Sequence, residues 1–445
     1  MKKNLILASS LLLLPVACSA VPEANSANPQ SAQTAATSVG SSAQTNAKTT
    51  AGSVAATSVA DDVAAVTQGF GECIAGITDK AHNAGISEAR IAYLGKLKPV
   101  TRVIELDRSQ PEFTQTFADY FNKRVTERRI LEGQKLLKTH AALLDKIQKE
   151  YGVPAQYLLA FWGLETNFGS YKGKMPVLDS LATLACDKRR SQYFTQELLQ
   201  ALKLADKHDL PQSVMVGSWA GAMGHTQFMP TTYLDYAVDG DGDGRADLWG
   251  STADALTSAA NFLKSLGWQA EQRWGREVLL PANYDFTTLG RTNRRELGAW
   301  GELGVQLTNG QSLPAAPMSA ALYLPAGHTG PAFLGYENFE VIQRWNRSEF
   351  YAIAVGHLAD RIKGAPPLTV APPLQPKRTR DGIKQMQSRL IELGFLTGDA
   401  DGVVGSKTTA AVREFQRMNQ LVPDGFADDA TMKALGLDVA AISAN

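Results

Sequence analysis

One carboxylate ends an otherwise apolar helical segment: Leu158-Leu159-Ala160-Phe161-Trp162-Gly163-Leu164-Glu165-Thr166-Asn167-Phe168-Gly169. A segment of this kind belongs in or against a helical core, and it takes Glu165 with it. At helical spacing the residues three, four and seven positions from Glu165 are Trp162, Phe161, Leu158 and Phe168. In such company the ionised carboxylate is poorly solvated, so its pKa rises and it holds a proton near neutral pH. That is the requirement of a general acid. The same residues also allow a plainer arrangement, in which a Glu at a helix end faces water.

The 445 residues suggest two or three domains. Lys plus Arg and Asp plus Glu both number 44, so no net charge draws the chain to nucleic acid. No phosphate-binding glycine loop or basic run is present either, which excludes nucleotide and nucleic-acid partners. The N-terminus reads as a targeting segment: Lys2 and Lys3 precede an apolar stretch, Leu5 to Val16, too short to span a membrane comfortably. It ends Leu14-Pro15-Val16-Ala17-Cys18-Ser19, which resembles a bacterial lipobox with Cys18 as the lipidated residue. Ser19 after the Cys implies sorting to the outer membrane, and hence a periplasmic, lipid-anchored protein. Pro15 is unusual for the pattern and leaves ordinary signal-peptidase cleavage open. Beyond Cys18, two cysteines remain, Cys73 and Cys186. In an oxidising periplasm they could bridge, or they could be two buried thiols.

The chain divides by composition. Residues 1–17 read as the signal peptide, and 18–60, made of Ser, Ala, Thr, Gln and Asn, as a disordered tether. About 40 flexible residues span on the order of 35 Å, enough to let an anchored enzyme reach a nearby polymer. Residues 61–363 are mainly helical, with apolar periodicity near 113–149, 153–166, 192–208, 254–266 and 349–362. Between about 276 and 325, short apolar runs punctuated by Gly, Pro and Asn predict a small β-rich insert. A Pro-rich linker at 364–378 should be extended, and 379–437 resumes helical periodicity. The fold class expected is mainly α (α+β).

A second informative run is Gly217-Ser218-Trp219-Ala220-Gly221-Ala222-Met223-Gly224-His225-Thr226-Gln227-Phe228-Met229-Pro230. Its small residues permit close approach of a backbone or a ligand, while Ser218, Gln227, Trp219 and Phe228 offer the hydroxyl partners and ring faces a carbohydrate needs. Tight helix packing is the alternative use of the small residues. Taken with the Glu165 segment, and with Asn338-Phe339, Arg344-Trp345-Asn346 and Tyr351, this run resembles the membrane-bound lytic transglycosylase B family across nearly all of 61–363. The resemblance implies a lysozyme-like helical catalytic domain. It also implies non-hydrolytic cleavage of the β-1,4 bond between N-acetylmuramic acid and N-acetylglucosamine in peptidoglycan, giving 1,6-anhydromuramoyl products. Glu165 would be the catalytic residue, acid then base, and no cofactor would take part. A retaining glycosidase needs two carboxylates roughly 5 Å apart. Neither run supplies a second one, and the substrate's own N-acetyl oxygen and 6-hydroxyl can replace it. Matching positions imply Tyr120, Arg189, Arg190, Ser218, Gln227, Phe228, Phe262, Trp345 and Tyr351 as substrate-binding residues. The two arginines would hold the stem peptide or sugar, or else be solvated surface charges. Phe262 and Trp345 stand where the family often has Tyr, which changes polar handles rather than the chemistry at Glu165. His208, His225 and His357 lie apart in sequence and carry no catalytic assignment.

Asp239-Gly240-Asp241-Gly242-Asp243-Gly244-Arg245-Ala246-Asp247 begins like an EF-hand loop, with Asp at positions 1, 3 and 5 and Gly at 6. Position 12 is Gly250 rather than Glu, and the resemblance implies closure by Asp254 instead. Asp239, Asp241, Asp243, Asp254 and the Arg245 carbonyl are therefore candidate ligands of a structural calcium ion, since so many carboxylates repel unless a cation is present. A metal-free Gly/Asp turn is the alternative. In the last segment, Ile383, Met386, Leu390 and Leu393 recur at helical spacing, followed by Asp401-Gly402-Val403-Val404-Gly405, Thr408, Val412, Phe415, Gln416, Asp424-Gly425 and Thr431. This resembles a small three-helix peptidoglycan-binding domain, which would keep the enzyme near its polymer. The partners expected are glycan strands, the membrane through the N-terminal lipid, and cell-wall synthesis or division proteins. Two rival functions stay open: a hydrolytic muramidase, and a wall-binding lipoprotein with an inactive enzyme fold.

Overall fold

The computed structural model describes residues 58–109 and 115–443. The expected signal peptide, the lipidation site Cys18 and nearly all of the tether lie outside these residues. Where description begins, the chain is already helical. Ser58 caps the helix Val59–Asn83 through a reciprocal pair of bonds with Asp61, so the helix begins before residue 60, the expected end of the tether.

Among the described residues no helix is long and apolar enough to cross a membrane. Four hydrophobic cores organise the fold. The first gathers the helices Phe117–Arg124, Ala155–Thr166, Thr252–Ser265 and Glu349–Ile362. The second gathers the helices Val59–Asn83, Val177–Ala185 and Ser191–Lys207 with the loop around Met223 and Phe228. Trp345 packs partly buried against both, so the seam between them passes beside this residue.

The helix Ala155–Thr166 is buried on nearly every face, as its sequence requires. It packs against Glu349–Ile362 and Glu127–Thr139. The apolar periodicity of 113–149 resolves into three helices, Phe117–Arg124, Glu127–Thr139 and Ala141–Tyr151, broken where Thr126 caps the second and His140 separates the third.

The third core underlies a five-stranded antiparallel sheet built from Gly275–Leu279, Arg295–Glu296, Gln306–Leu307, Ser319–Tyr323 and Ala332–Gly335. The insert is β-rich as the sequence suggests, but it runs about ten residues further, because its last strand pairs with both Gly275–Leu279 and Ser319–Tyr323.

The linker is extended and pinned: Glu277 accepts from the Thr369 and Val370 amides, and Gln375 donates to the Ala326 carbonyl. Beyond it, the helices Arg380–Glu392, Ser406–Met418 and Asp429–Ala434 close on the fourth core. Leu393, read at core spacing, is the C-cap of the first of these helices and is exposed.

The repeated Asp-Gly turns of this module have one physical cause. Gln387 donates to Asp401 Oδ1, the Val403 carbonyl and Thr408 Oγ1 while accepting from the Gly402 amide. Gln416 makes the same four bonds with Asp424, Phe426, Thr431 and Gly425. Two buried glutamines thus clasp two turns in the same way, satisfying polar groups that the small core cannot leave unpaired. The module docks on the larger body through Asp424 and His328 (2.6 Å) and through Arg413 donating to the Leu289 carbonyl, while Lys377 of the linker pairs with Asp119 (3.2 Å).

Candidate active site

Glu165 occupies the last turn of its helix, and the chain then reverses abruptly. Asn167, Phe168 and Gly169 all lie in the left-handed region, with φ of 50°, 58° and 76°. Two non-glycine residues held there carry strain of about 1–3 kcal/mol each, of the kind that gathers at functional sites. Gly163 makes the reversal possible, since a Cβ there would sit 2.8 Å from the Phe168 ring. The Phe168 amide returns to the Trp162 carbonyl, and Thr166 Oγ1 accepts from the Gly169 amide.

The helix end is fastened to the loop that follows Gly217. Thr166 Oγ1 donates to the His225 carbonyl (2.9 Å), and Trp162 Nε1 donates to His225 Nδ1 (3.0 Å). Burial, aided by Lys172, lowers the His225 pKa to about 4, so the ring is neutral and can accept that bond. His225 therefore has a structural task, as does His357, which is buried beside Phe121.

Two donors converge on one carboxylate oxygen. Trp345 Nε1 reaches Glu165 Oε1 at 3.0 Å, and the Tyr351 hydroxyl donates to the same oxygen. Trp345 is held by Phe161, Phe228 and Phe262, with ring centroids 4.6, 5.4 and 5.2 Å away. The handle that Trp345 offers is thus its indole N–H, which is aimed at the Glu165 carboxylate. Burial pushes the Glu165 pKa up to about 7, opposed by the bonds from Tyr351 and Trp345 and by Arg124. With Oε1 engaged twice, a proton on Glu165 resides on Oε2.

Replacing Tyr351 by Phe removes a donor that favours the ionised form, so the Glu165 pKa rises further. The alkaline limb of the kcat/KM profile should move to higher pH, and the maximal rate should fall about tenfold as the carboxylate loses its orientation. An unshifted limb in the pH profile would remove Tyr351 from this role.

Glu165 opens into a cavity of about 1370 Å³, also lined by Tyr120, Arg124, Trp219 and Tyr351, and on its far side by Val403, Thr409 and Phe426 of the C-terminal module. Tyr120 thus shares the cavity, whereas Phe228, Phe262 and Trp345 pack on one another and are not among its lining residues. Ser218 accepts from the Ala222 amide, and Gln227 donates to the Lys172 and Gly224 carbonyls, so both shape the loop rather than line this cavity.

Arg189 and Arg190 do not line it either. Both bind Asp107, whose side chain is almost wholly buried, within a network in which Arg108 joins Asp62 and Asp187. An inward acid takes up the charge that the sequence pattern left free. Arg124, which stacks on Tyr120, has no distinguishing pattern in the sequence, because beside Lys123 it reads as the ordinary basic last turn of a helix.

In the acidic loop, carboxylate oxygens of Asp239, Asp241 and Asp254 lie within 4.8 Å of one another. Asp254 is buried and accepts from the Gly240 and Asp247 amides, which folds the loop around it. Asp243 stands outside that group; one of its oxygens accepts from the Arg245 amide. Cys73 and Cys186 are joined by a disulfide, with Cα atoms 5.8 Å apart.

Comparison with known proteins agrees with this geometry. Residues 69–360 match the family model described as "Transglycosylase SLT domain", and 379–435 match that of a "Putative peptidoglycan binding domain". Membrane-bound lytic murein transglycosylase B of Escherichia coli (strain K12) is 35% identical over 245 residues, which cover 55% of this chain and 66% of that protein. Crystal structures of SltB3 from Pseudomonas aeruginosa, in complex with NAG-anhNAM-pentapeptide or NAG-NAM-pentapeptide, superpose with a TM-score of 0.79 at 42% identity, covering 82% of this chain and 99% of that one. The Escherichia coli lytic transglycosylase Slt35 in complex with calcium gives 0.57 at 30%, covering 65% and 92%. With the SLT domain matched over most of its length and a peptidoglycan-binding domain behind it, the chain belongs to the SLT transglycosylase family.

Proposed function

We propose that the protein is a lytic transglycosylase that cleaves the β-1,4 bond between N-acetylmuramic acid and N-acetylglucosamine of peptidoglycan without water. The observation that carries this reading is a buried Glu165 whose pKa is pushed up to about 7, with both of its donors on Oε1. Its Oε2 protonates the leaving glycosidic oxygen. As negative charge develops on Glu165, Trp345, Tyr351 and Arg124 stabilise it. The substrate N-acetyl oxygen supports the oxocarbenium-like centre, and the carboxylate then takes the proton of the 6-hydroxyl as that oxygen closes the anhydro ring. The carboxylate is restored to its acid form, and no second acid is required. Hydrolysis would instead need a base positioned to activate water. Digestion of sacculi in ¹⁸O-labelled water tests the reading: transglycosylation leaves the new muramic ends unlabelled, and hydrolysis labels them.

The acidic loop fits a hard divalent cation, with three acidic side chains converging on one point and the buried Asp254 at its base. A calcium ion bound there would screen their repulsion and fix the loop that leads into the helix Thr252–Ser265. Slt35 has been crystallised with calcium. Addition of EGTA should lower the thermal midpoint by several degrees, and readdition of calcium should restore it; an indifferent midpoint would count against the ion. Lipidation at Cys18, with anchorage at the periplasmic face of the outer membrane, completes the proposed setting, and cell-wall synthesis or division proteins are its expected neighbours.

A further inference from the structure

Most charges on the wall of the Glu165 cavity are already matched. Arg291 pairs with Glu340, which also accepts from the Tyr323 hydroxyl; Arg378 pairs with Asp429, and Asp424 with His328. Besides Arg124 beside Glu165, two are not. Glu349 and Arg347 both line the cavity, and neither side chain has a hydrogen bond or ion pair among the described residues. Glu349 is partly buried at the first turn of the helix Glu349–Ile362. Arg291 is drawn toward it but is committed to Glu340, which itself repels Glu349. A partly desolvated carboxylate with no donor is costly unless a ligand supplies one.

We propose that Glu349 and Arg347 form a site for the zwitterionic amino-acid head of a stem peptide, the carboxylate taking the ammonium and the guanidinium the carboxylate. This rests on the transglycosylase reading above. Sugar rings carry no charge, whereas the diamino dicarboxylic acid of a stem peptide carries an ammonium and a carboxylate on one carbon at its free end. The reach is suitable. Glu349 precedes Tyr351 by two residues on one helix, about 3 Å along the axis, and Tyr351 bonds Glu165. The third residue of an extended peptide lies about 10 Å from its point of attachment, so a stem on the muramic sugar at the cleaved bond can span that interval. Arg347 with its planar fork suits a carboxylate.

The site makes the enzyme prefer glycan with uncross-linked stems, because cross-linking consumes the amine. The test compares kcat/KM of the full chain on strands bearing diaminopimelate stems, on the same strands with stem amines acetylated, and on strands stripped of peptide. For the wild-type protein, acetylation should lower the rate constant about tenfold. Glu349→Gln and Arg347→Gln should each lower the ratio of peptide-bearing to stripped substrate about tenfold, and acetylation should cost Glu349→Gln nothing further. Ratios unchanged in both variants, or an acetylated substrate cleaved as well as the native one, would overturn the proposal, and the acetylation arm stands even if a variant fails to fold. Water-derived oxygen in the products would instead overturn the transglycosylase reading.

Discussion

Glu165→Gln should abolish strand cleavage, lowering kcat about 10⁴-fold, while the protein stays folded and still binds sacculi. General acid–base groups contribute on the order of 10²–10⁴ each, and in the proposed mechanism one residue serves both steps. The loss should fall on kcat, since glutamine keeps the shape and can still accept the bonds from Trp345 and Tyr351. The same variant makes a prediction about stability. The Glu165 pKa is about 7 in the folded protein against 4.5 for the free side chain, so the folded state holds the proton more tightly. Its contribution is fully present below about 4.5 and is lost as pH rises through about 7. Glu165→Gln should therefore be more stable than the wild type at pH 8 and have no such advantage at pH 4, as urea unfolding at the two values will show. Equal stability differences at both pH values would contradict a raised pKa.

Replacing Cys73 and Cys186 together by Ser should cost about 2–4 kcal/mol of unfolding free energy, the usual worth of a bridge closing a long loop. The bridge spans 113 residues and ties the helix Val59–Asn83 to the end of Val177–Ala185. Arg108 joins Asp62 and Asp187 at the same junction, so the covalent and ionic ties act on one contact. Because this junction lies in the second core and Glu165 in the first, the loss should appear in denaturant midpoints and in susceptibility to reductant, with little change in kcat at 25 °C. An unchanged midpoint would mean that the ion network alone holds the helices.

The helix that carries Glu165 was readable because its whole circumference is apolar, a pattern that leaves it few places other than a core. The raised pKa followed from Phe161 and Trp162 for the same reason. The first helix, whose Val66, Phe70, Ile74, Ile77 and Ala81 are all buried, is not among the periodic stretches of the sequence, because Ala, Gly and Thr between these residues continue the small-residue composition of the stretch before it. Partners across the chain were another matter. Arg189 and Arg190 offered two donors, but the acid that claims them is Asp107, some eighty residues earlier, and no local spacing reveals that pairing. Trp345 stands in the sequence as a substrate-binding position with a changed polar handle; its bond to Glu165 depends on three aromatic rings from separate segments fixing the indole. The extension of the β insert escaped notice because Ala332–Gly335 is short and buried along its length, with no alternation to mark it as a strand.

Mass spectrometry of muropeptides released from purified peptidoglycan by the full chain, beside its Glu165→Gln variant, is the most direct test of single-carboxylate transglycosylation. The expected result is muramic ends lighter than hydrolytic ones by one water, present with the wild type and absent with the variant. Reducing ends from the wild type, or anhydro ends surviving in Glu165→Gln, would contradict it.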